Sequence, residues 1–352
     1  MNEKRLPPWA DEIPEGSFIS YEPTYKVGEY FNRFHKDSCV TTDKGQMAYY
    51  FFDPTEHGFP KDKSYPLFVF LHGTSNALVG DVCINYAGAE FYSTDAYQKA
   101  VGGSYLLIPL ANEYRDENGA VHGAWDETYV KAVYEIVCGF IDAHTYGSAK
   151  TAEASVSATG VKLSGTASVY GASGKKVVFG NSSGATMSFR MVNAYTSFFN
   201  ALVPIGSGDI PDDETLDRYD ENDVHLFYAI GKRDEINSFA EYVEPRIPRL
   251  KRMKHCFLYT PEWVRNGDKG IASINFGFEM GQHCLINPMH CNLMFDDGTN
   301  MDERLPNGVT GWLASFLNDD SSADCRATGN AAKRGTATGN APKTDAASRD
   351  EK

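Results

Sequence analysis

A serine with glycines on both sides is the residue of this sequence best placed for covalent chemistry. Gly180, Ser182 and Gly184 have the spacing G-x-S-x-G, with an apolar, largely β-branched run at 177–179 before them and a helix-capable segment after them. A serine on a sharp strand-to-helix turn lies in strained backbone, so the residues two positions away must be small. The helix that follows directs its first N–H groups at an oxyanion above the serine. The spacing therefore predicts that Ser182 is a nucleophile.

The adjacent Ser183 is the alternative nucleophile. Its neighbours at two residues' distance are Asn181 and Ala185, which fit the pattern less well than two glycines. We therefore expect Ser183 to contribute its backbone N–H to an oxyanion hole rather than its hydroxyl to the reaction.

An activated serine needs a base, and the base needs an acid that orients it. When the three residues of such a triad occur along the chain in the order Ser, Asp or Glu, then His, the acid follows a strand that comes after the strand of the serine. The apolar run 225–231 is such a strand and is followed by KRDEI, so Asp234 lies just past its carboxyl end, where open parallel sheets place functional groups. Asp234 is the predicted acid, and the adjacent Glu235 is the alternative.

Two histidines near the end of the chain are candidates for the base. His283 and His290 both lie in the segment GQHCLINPMHCNL. His283 comes soon after Gly281, where the chain can turn sharply, and it is closer to the preceding strand. We therefore predict His283 as the base and keep His290 as the alternative.

The same segment contains a pattern that metal sites use. His283, Cys284, His290 and Cys291 form H-C-x5-H-C. Zinc sites favour paired ligands two to four residues apart, and adjacent His-Cys pairs do not easily direct both side chains at one ion. The prediction is therefore that the site holds no metal.

The oxyanion hole requires two backbone N–H donors. Ser183 supplies one, and the loop after the strand YPLFVFLHG supplies the other. In the sequence HGTSN we predict Thr74 as that donor, with Ser75 close by. His72 in the same loop is expected to be structural.

These residues must be positioned by the elements around them. Continuous apolar runs typical of strands covered on both faces occur at 65–73, 104–110, 176–180, 201–206, 225–231 and 255–260. Helix-length segments lie between and after them, at 127–144, 185–198, 238–254 and 308–319. Alternating runs at 25–35 and 46–52 predict an opening antiparallel pair. The pattern predicts an α/β fold with a mostly parallel central sheet and helices on both faces.

The predicted domain comprises residues 25–320. Residues 1–24 are expected to form an extended arm, and residues 147–175, rich in Ala, Ser, Thr and Gly, a long surface insertion. Residues 211–223 are acidic and are interpreted as a solvated loop, with a short cap over the site as the alternative. The tail at 321–352 repeats ATGNA and is predicted to be disordered.

Composition excludes several classes of partner. The chain has 352 residues, 42% hydrophobic and 23% charged, and a net charge of −14, which argues against nucleic-acid and anionic-membrane binding. No apolar run is long enough to cross a bilayer. Seven scattered cysteines and the lack of an apolar segment behind the first basic residues predict reduced thiols and a cytoplasmic location.

The motifs LHGTSN, GNSSGA, GKRDE and GQHC together resemble those of the α/β-hydrolase superfamily, over residues 25–318. Within it, the arrangement is similar to esterases related to polyhydroxybutyrate depolymerases and to feruloyl and acetylxylan esterases, which often carry a tryptophan at the place of Trp125. The resemblance implies a serine carboxylester hydrolase with no cofactor, in which Ser182, His283 and Asp234 form the triad. It also implies a small-molecule or carbohydrate ester as substrate.

Two alternative functional hypotheses stay open. The sequence does not indicate the oligomeric state. A peptidase of the prolyl-oligopeptidase type usually carries a large N-terminal propeller, for which there is no room before residue 65. A non-catalytic binding protein on a hydrolase scaffold would lack a histidine within hydrogen-bond reach of Ser182.

Overall fold

An eight-stranded sheet forms the centre of the computed structural model of the chain. Its strands, in chain order, are β1 (His35–Thr42), β2 (Gly45–Phe52), β3 (Leu67–Leu71), β4 (Tyr105–Pro109), β5 (Lys176–Asn181), β6 (Ala201–Ile205), β7 (His225–Ala229) and β8 (Cys256–Tyr259). They lie side by side in the order β8-β7-β6-β5-β3-β4-β2-β1. The six strands β3 to β8 pair in parallel, and β1 and β2 join them antiparallel. The predicted mostly parallel sheet is confirmed.

The structure describes residues 9–17, 19–20, 25–147, 155–157, 160–162, 169–273 and 280–317. The predicted disordered tail at 321–352 and much of the insertion at 147–175 therefore lie outside the described residues. Of the insertion, Ser155–Ser157 pairs antiparallel with Gly160–Lys162, and Val169–Gly171 pairs antiparallel with Thr145–Gly147.

Helices pack on both faces of the sheet. They are α1 (Val82–Tyr86), α2 (Ala89–Tyr92), α3 (Asp95–Val101), α4 (Val130–His144), α5 (Ser183–Ala194), α6 (Asp213–Glu221), α7 (Ile247–Leu250), α8 (Ile286–His290) and α9 (Gly308–Leu317). None of these described helices is long and apolar enough to cross a membrane.

The core has two layers, because successive side chains of a strand point to opposite faces. In β3, Leu67, Val69 and Leu71 belong to the layer that includes residues of α4, α5 and α6. Phe68 and Phe70 belong to the other layer, with residues of α1, α8 and α9. Because both faces are covered, every residue of β3 is buried, which explains its continuous apolar sequence.

The predicted strand at 25–35 is wrong. That segment contains a 3₁₀-helix at Phe31–Arg33, and the strand β1 begins only at His35. Glu90 holds the segment in a turn by accepting hydrogen bonds from the N–H groups of Gly28 and Tyr30. The edge strand β1 is mostly polar and therefore lacks the apolar alternation that marks its partner β2.

Two further segments differ from their predictions. Residues 211–223 contain the helix α6 rather than a solvated loop, because Leu216 and Tyr219 reach the core from an otherwise acidic helix. The predicted helix at 238–254 is divided into a π-helical turn, a 3₁₀ turn and the short α7. Pro245 and Pro248 lie inside it, and each lacks the N–H that a continuous helix needs.

The N-terminal segment packs on the domain at two places. Ile19–Ser20 pairs in parallel with Ile271–Ala272. Trp9 is buried and meets Trp263 edge-on, with ring centroids 5.3 Å apart.

Candidate active site

The turn between β5 and α5 holds Ser182 in a strained conformation. Its φ is 56° and its ψ is −120°, in a region that non-glycine residues rarely adopt. A Cβ at Gly180 would lie 2.1 Å from the Gly184 carbonyl oxygen, and one at Gly184 would lie 2.0 Å from the Leu71 carbonyl oxygen. Both glycines are therefore required for this turn to form.

Three side chains from separate segments meet above that turn. The Ser182 Oγ is 3.0 Å from His283 Nε2. The other ring nitrogen, His283 Nδ1, is 2.8 Å and 3.0 Å from the two carboxylate oxygens of Asp234. With Nδ1–H donating to the carboxylate, Nε2 is free to accept the serine hydroxyl proton.

The acid of this group is held firmly and out of water. The Asp234 side chain is fully buried, and its Oδ1 accepts hydrogen bonds from the N–H groups of Ile236 and Asn237 at 2.9 and 2.8 Å. Gly206 (φ 70°) lies under the imidazole, where a Cβ would be 3.2 Å from His283 Cε1. A larger residue at that position would displace the imidazole of His283 from Asp234.

The loop after β3 comes close to the serine. A Cβ on Gly73 would lie 3.5 Å from the Ser182 Cβ, so Thr74 is next to the residue that approaches the nucleophile. Within the described part of the chain, no atom accepts a hydrogen bond from the Thr74 N–H. Ser183 is the first residue of α5, whose leading N–H groups have no helical acceptor. Within the described residues, neither of the two N–H groups predicted as oxyanion donors has a backbone acceptor.

Comparison with known proteins adds evidence on the fold. The chain matches no known family model and no curated protein. Among solved structures it is similar to a thermostable esterase, with 16% identity and a TM-score of 0.51, over 74% of this chain and 60% of that chain. The chain has the α/β-hydrolase fold.

Two other solved structures are more distant. The feruloyl esterase module from Clostridium thermocellum has 13% identity and a TM-score of 0.43, over 71% of this chain and 88% of that one. Est1E from Butyrivibrio proteoclasticus has 13% identity and a TM-score of 0.35, over 65% and 89%.

In this α/β-hydrolase fold, His72 braces the loop after β3. It is fully buried, its Nε2 accepts the Ala111 N–H at 3.1 Å, and its Nδ1 donates to the Gly73 carbonyl at 2.8 Å. Burial lowers its pKa to about 4, so the ring is neutral at pH 7. The Trp125 indole donates to the His72 carbonyl at 3.0 Å. His72 is therefore a structural residue of the loop that carries Thr74.

The alternative base lies in different surroundings. His290 is buried, and its Nδ1 is hydrogen-bonded to the Tyr25 hydroxyl. Its Nε2 has no hydrogen-bond partner among the described residues. Burial lowers the His290 pKa to about 3. The His290 ring is hydrogen-bonded to Tyr25 and stacked on Phe91, whereas His283 is the histidine bonded to Ser182.

The remaining alternatives also have defined positions. The Ser183 Oγ is buried and has no hydrogen-bond partner among the described residues, so it is not bonded to a base. The Ser75 N–H donates to Glu113 Oε1 at 2.9 Å and is therefore not free for an oxyanion. Glu235 accepts the N–H groups of Gln282 and His283, while Asp234 takes the imidazole.

No pattern in the sequence predicts a role for Glu113, and Glu235 is predicted only as the alternative to Asp234. Both carboxylates bind main-chain N–H groups of distant loops, and no local spacing marks that kind of contact. The position of each residue, shortly after the carboxyl end of a parallel strand, was the one available signal.

A second group of ligand-type side chains lies at the start of β7 and β8. Asp223, His225 and His255 each place a ligand atom within 4.8 Å of the others. However, the two imidazoles are stacked with centroids 4.1 Å apart and planes at 11°, so their in-plane lone pairs do not converge on one point. Lys254 also forms an ion pair with the Asp223 carboxylate. We therefore assign no metal to this group.

Proposed function

We propose that the protein is a serine hydrolase that cleaves carboxylic esters through an acyl-enzyme intermediate. The observation that supports this most strongly is the continuous hydrogen-bonded series from Ser182 Oγ to His283 Nε2 (3.0 Å) and from Nδ1 to Asp234 (2.8 Å). It lies on a strained turn at the start of a helix, where the half-buried Ser182 is next to the first N–H groups of that helix.

In the acylation step, the Ser182 Oγ attacks the ester carbonyl carbon while His283 Nε2 takes the hydroxyl proton. Asp234 accepts the Nδ1–H hydrogen bond and stabilises the imidazolium that forms. The N–H groups of Thr74 and Ser183 donate to the carbonyl oxygen as it becomes negative, and each such donor is typically worth roughly 10²–10³ in rate. The tetrahedral intermediate then collapses, and His283 gives its proton to the departing alcohol.

Deacylation repeats the same transfers with water. His283 Nε2 removes a proton from the water that attacks the acyl carbon, and the collapse of the second intermediate returns that proton to Ser182 Oγ. The acid leaves and the starting state is restored. No step of this cycle calls for a cofactor.

Ester rather than amide cleavage is the more specific part of the proposal. It extends to this chain the activity named for the thermostable esterase, of which the chain spans 60%. A small or medium acyl ester, including one on a carbohydrate, is the expected substrate class.

The test is hydrolysis of a p-nitrophenyl ester series from acetate to octanoate, with peptide p-nitroanilides in parallel. We expect turnover of at least one ester, and Ser182→Ala should lower kcat by at least about 10⁴-fold. Ser183→Ala is the matched control: its backbone N–H is kept, so its kcat should stay within a few-fold of wild type. A Ser182→Ala enzyme with near-normal activity would contradict the proposal, and cleavage of the anilides alone would favour a peptidase.

A further inference from the structure

Two glutamates make the same kind of contact on opposite sides of Ser182. Glu235 accepts the Gln282 N–H on Oε1 at 3.1 Å and the His283 N–H on Oε2 at 2.9 Å. Glu113 accepts the Ser75 N–H on Oε1 at 2.9 Å and the Ala77 N–H on Oε2 at 3.0 Å. Each carboxylate thus uses both oxygens to hold the main chain of one loop. One loop carries the proposed base, and the other carries the proposed oxyanion donor Thr74.

These contacts differ from ordinary helix caps. The Asp212 carboxylate accepts the Thr215 N–H three residues along its own helix, which satisfies a local donor. Glu235 and His283 are 48 residues apart, and Glu113 and Ser75 are 38 residues apart. The two glutamates therefore fix the position of one segment relative to another.

Glu235 complements the acid next to it. Asp234 binds the imidazole of His283, and Glu235 binds the main-chain N–H of the same histidine. Ring and backbone of the base are thereby both fixed to one turn after β7. That turn is itself closed by Asp234 Oδ1, which accepts two of its N–H groups.

Glu113 performs the equivalent task for the loop after β3. Glu113 occupies the N–H groups of Ser75 and Ala77, and the neighbouring Thr74 N–H has no backbone acceptor among the described residues. Ser75 has a φ of 68°, a conformation that the Glu113 contact helps to hold.

We propose that Glu235 and Glu113 are positioning residues for catalysis. Glu235 sets the distance between His283 Nε2 and Ser182 Oγ, and Glu113 sets the position of the Thr74 N–H. The inference rests on the proposed function, because it concerns the transition state of that reaction. A misplacement of about 1 Å can lower a rate by roughly 10²-fold without loss of substrate binding.

The test compares steady-state kinetics and pH–rate profiles of the full-length protein with p-nitrophenyl acetate. Glu235→Ala should lower kcat by roughly 10–100-fold, with KM changed less than about 3-fold. It should also move the midpoint of the kcat/KM profile, because the His283–Asp234 pair is disturbed. Glu113→Ala should lower kcat by about 10-fold and leave the midpoint in place, since the histidine is untouched.

Three further variants separate positioning from general stability. Glu235→Gln keeps one acceptor oxygen and should restore part of kcat. Trp9→Phe removes the indole N–H that also donates to Glu235 at 3.0 Å and reduces the ring that packs on Trp263, and its kcat should match wild type. Asp212→Asn weakens a helix cap away from the site and should lower melting temperature slightly with no change in kcat.

Each result decides the inference. Folded Glu235→Ala and Glu113→Ala enzymes with kcat within two-fold of wild type would overturn it. So would a Trp9→Phe enzyme as slow as Glu235→Ala, because Glu235 would then act by anchoring the N-terminal segment. If Glu235→Ala does not fold, the kcat of Glu235→Gln decides. If the Ser182→Ala variant keeps the kcat of the wild type, the proposed function is wrong, and this inference is wrong with it.

Discussion

His283 and His290 belong to one short segment, yet the structure gives them opposite environments. Both ring nitrogens of His283 have partners that suit proton transfer, a serine hydroxyl and a buried carboxylate. His290 is hydrogen-bonded to the Tyr25 hydroxyl, and its Nε2 has no hydrogen-bond partner among the described residues. The residue lines a small, mostly apolar cavity together with side chains that include Phe70 and Phe179. A carboxylate contacts the His283 ring, whereas a tyrosine hydroxyl contacts the His290 ring.

The difference shows what a catalytic histidine needs. A base must hold a proton during the reaction, so a carboxylate has to stabilise its imidazolium form. In the proposed mechanism, Asp234 does this for His283. For His290, burial alone accounts for the lowering of the pKa to about 3, and no carboxylate of the described residues contacts its ring. The position of a histidine in the sequence does not reveal this contrast, whereas its neighbours in the fold do.

The sharpest way to break the comparison is to replace each histidine by glutamine. His283→Gln should lower kcat/KM for p-nitrophenyl acetate by at least about 10⁴-fold, because His283 is the described side chain hydrogen-bonded to Ser182 Oγ and is the proposed base. His290→Gln should keep kcat/KM within a few-fold of wild type and should instead lower the melting temperature. Equal losses of kcat/KM in the two variants would contradict the contrast drawn between them.

A smaller effect is expected from the hydroxyl that binds His290. Tyr25→Phe removes the group that bonds to His290 Nδ1 and accepts from Asn85 Nδ2 at 2.6 Å. Leaving these buried groups unpaired should lower the free energy of unfolding by about 1–3 kcal/mol, as measured by urea denaturation. The kcat should not change. A large fall in kcat without a change in stability would contradict this prediction, because it would mean that Tyr25 takes part in the reaction.

The last expected effect is a pH dependence of stability, which is absent at pH 7. His290 and His72 have folded-state pKa values lowered by burial to about 3 and about 4, below the ordinary value of 6.5. Between these values the unfolded chain binds more protons than the folded protein, so stability is complete above about pH 6.5 and falls as pH decreases. Each histidine contributes a slope of up to about 1.4 kcal/mol per pH unit. When the free energy of unfolding is measured by urea denaturation from pH 7 to 4.5, it should fall less steeply with decreasing pH in His290→Gln than in the wild type.

The elbow and the buried strands were predictable because their signals are local. The glycine spacing around Ser182 and the apolar runs of β3 to β8 each depend on a few adjacent residues. The place of Asp234 followed from the end of β7 and the chemistry of parallel sheets. For the base, the sequence favoured His283, but only the folded arrangement separates it from His290.

The elements and contacts that the sequence did not predict depend on interactions between distant segments. The helix α6 is acidic and reaches the core through few residues, so composition alone indicated a loop. The helices α1 to α3 were not predicted, since each is seven residues or shorter and has little periodicity to detect. The contacts of Glu113 and Glu235 join main-chain groups across the fold, and main-chain donors leave no mark in a sequence.

Labelling with a fluorophosphonate probe, followed by mass spectrometry of the modified peptide, tests the central claim most directly. The account predicts one modified residue, Ser182, in the wild-type protein. Labelling should be lost in His283→Ala and retained in His290→Ala. A folded wild-type protein that takes up no probe, or one labelled at a residue other than Ser182, would contradict the proposed nucleophile.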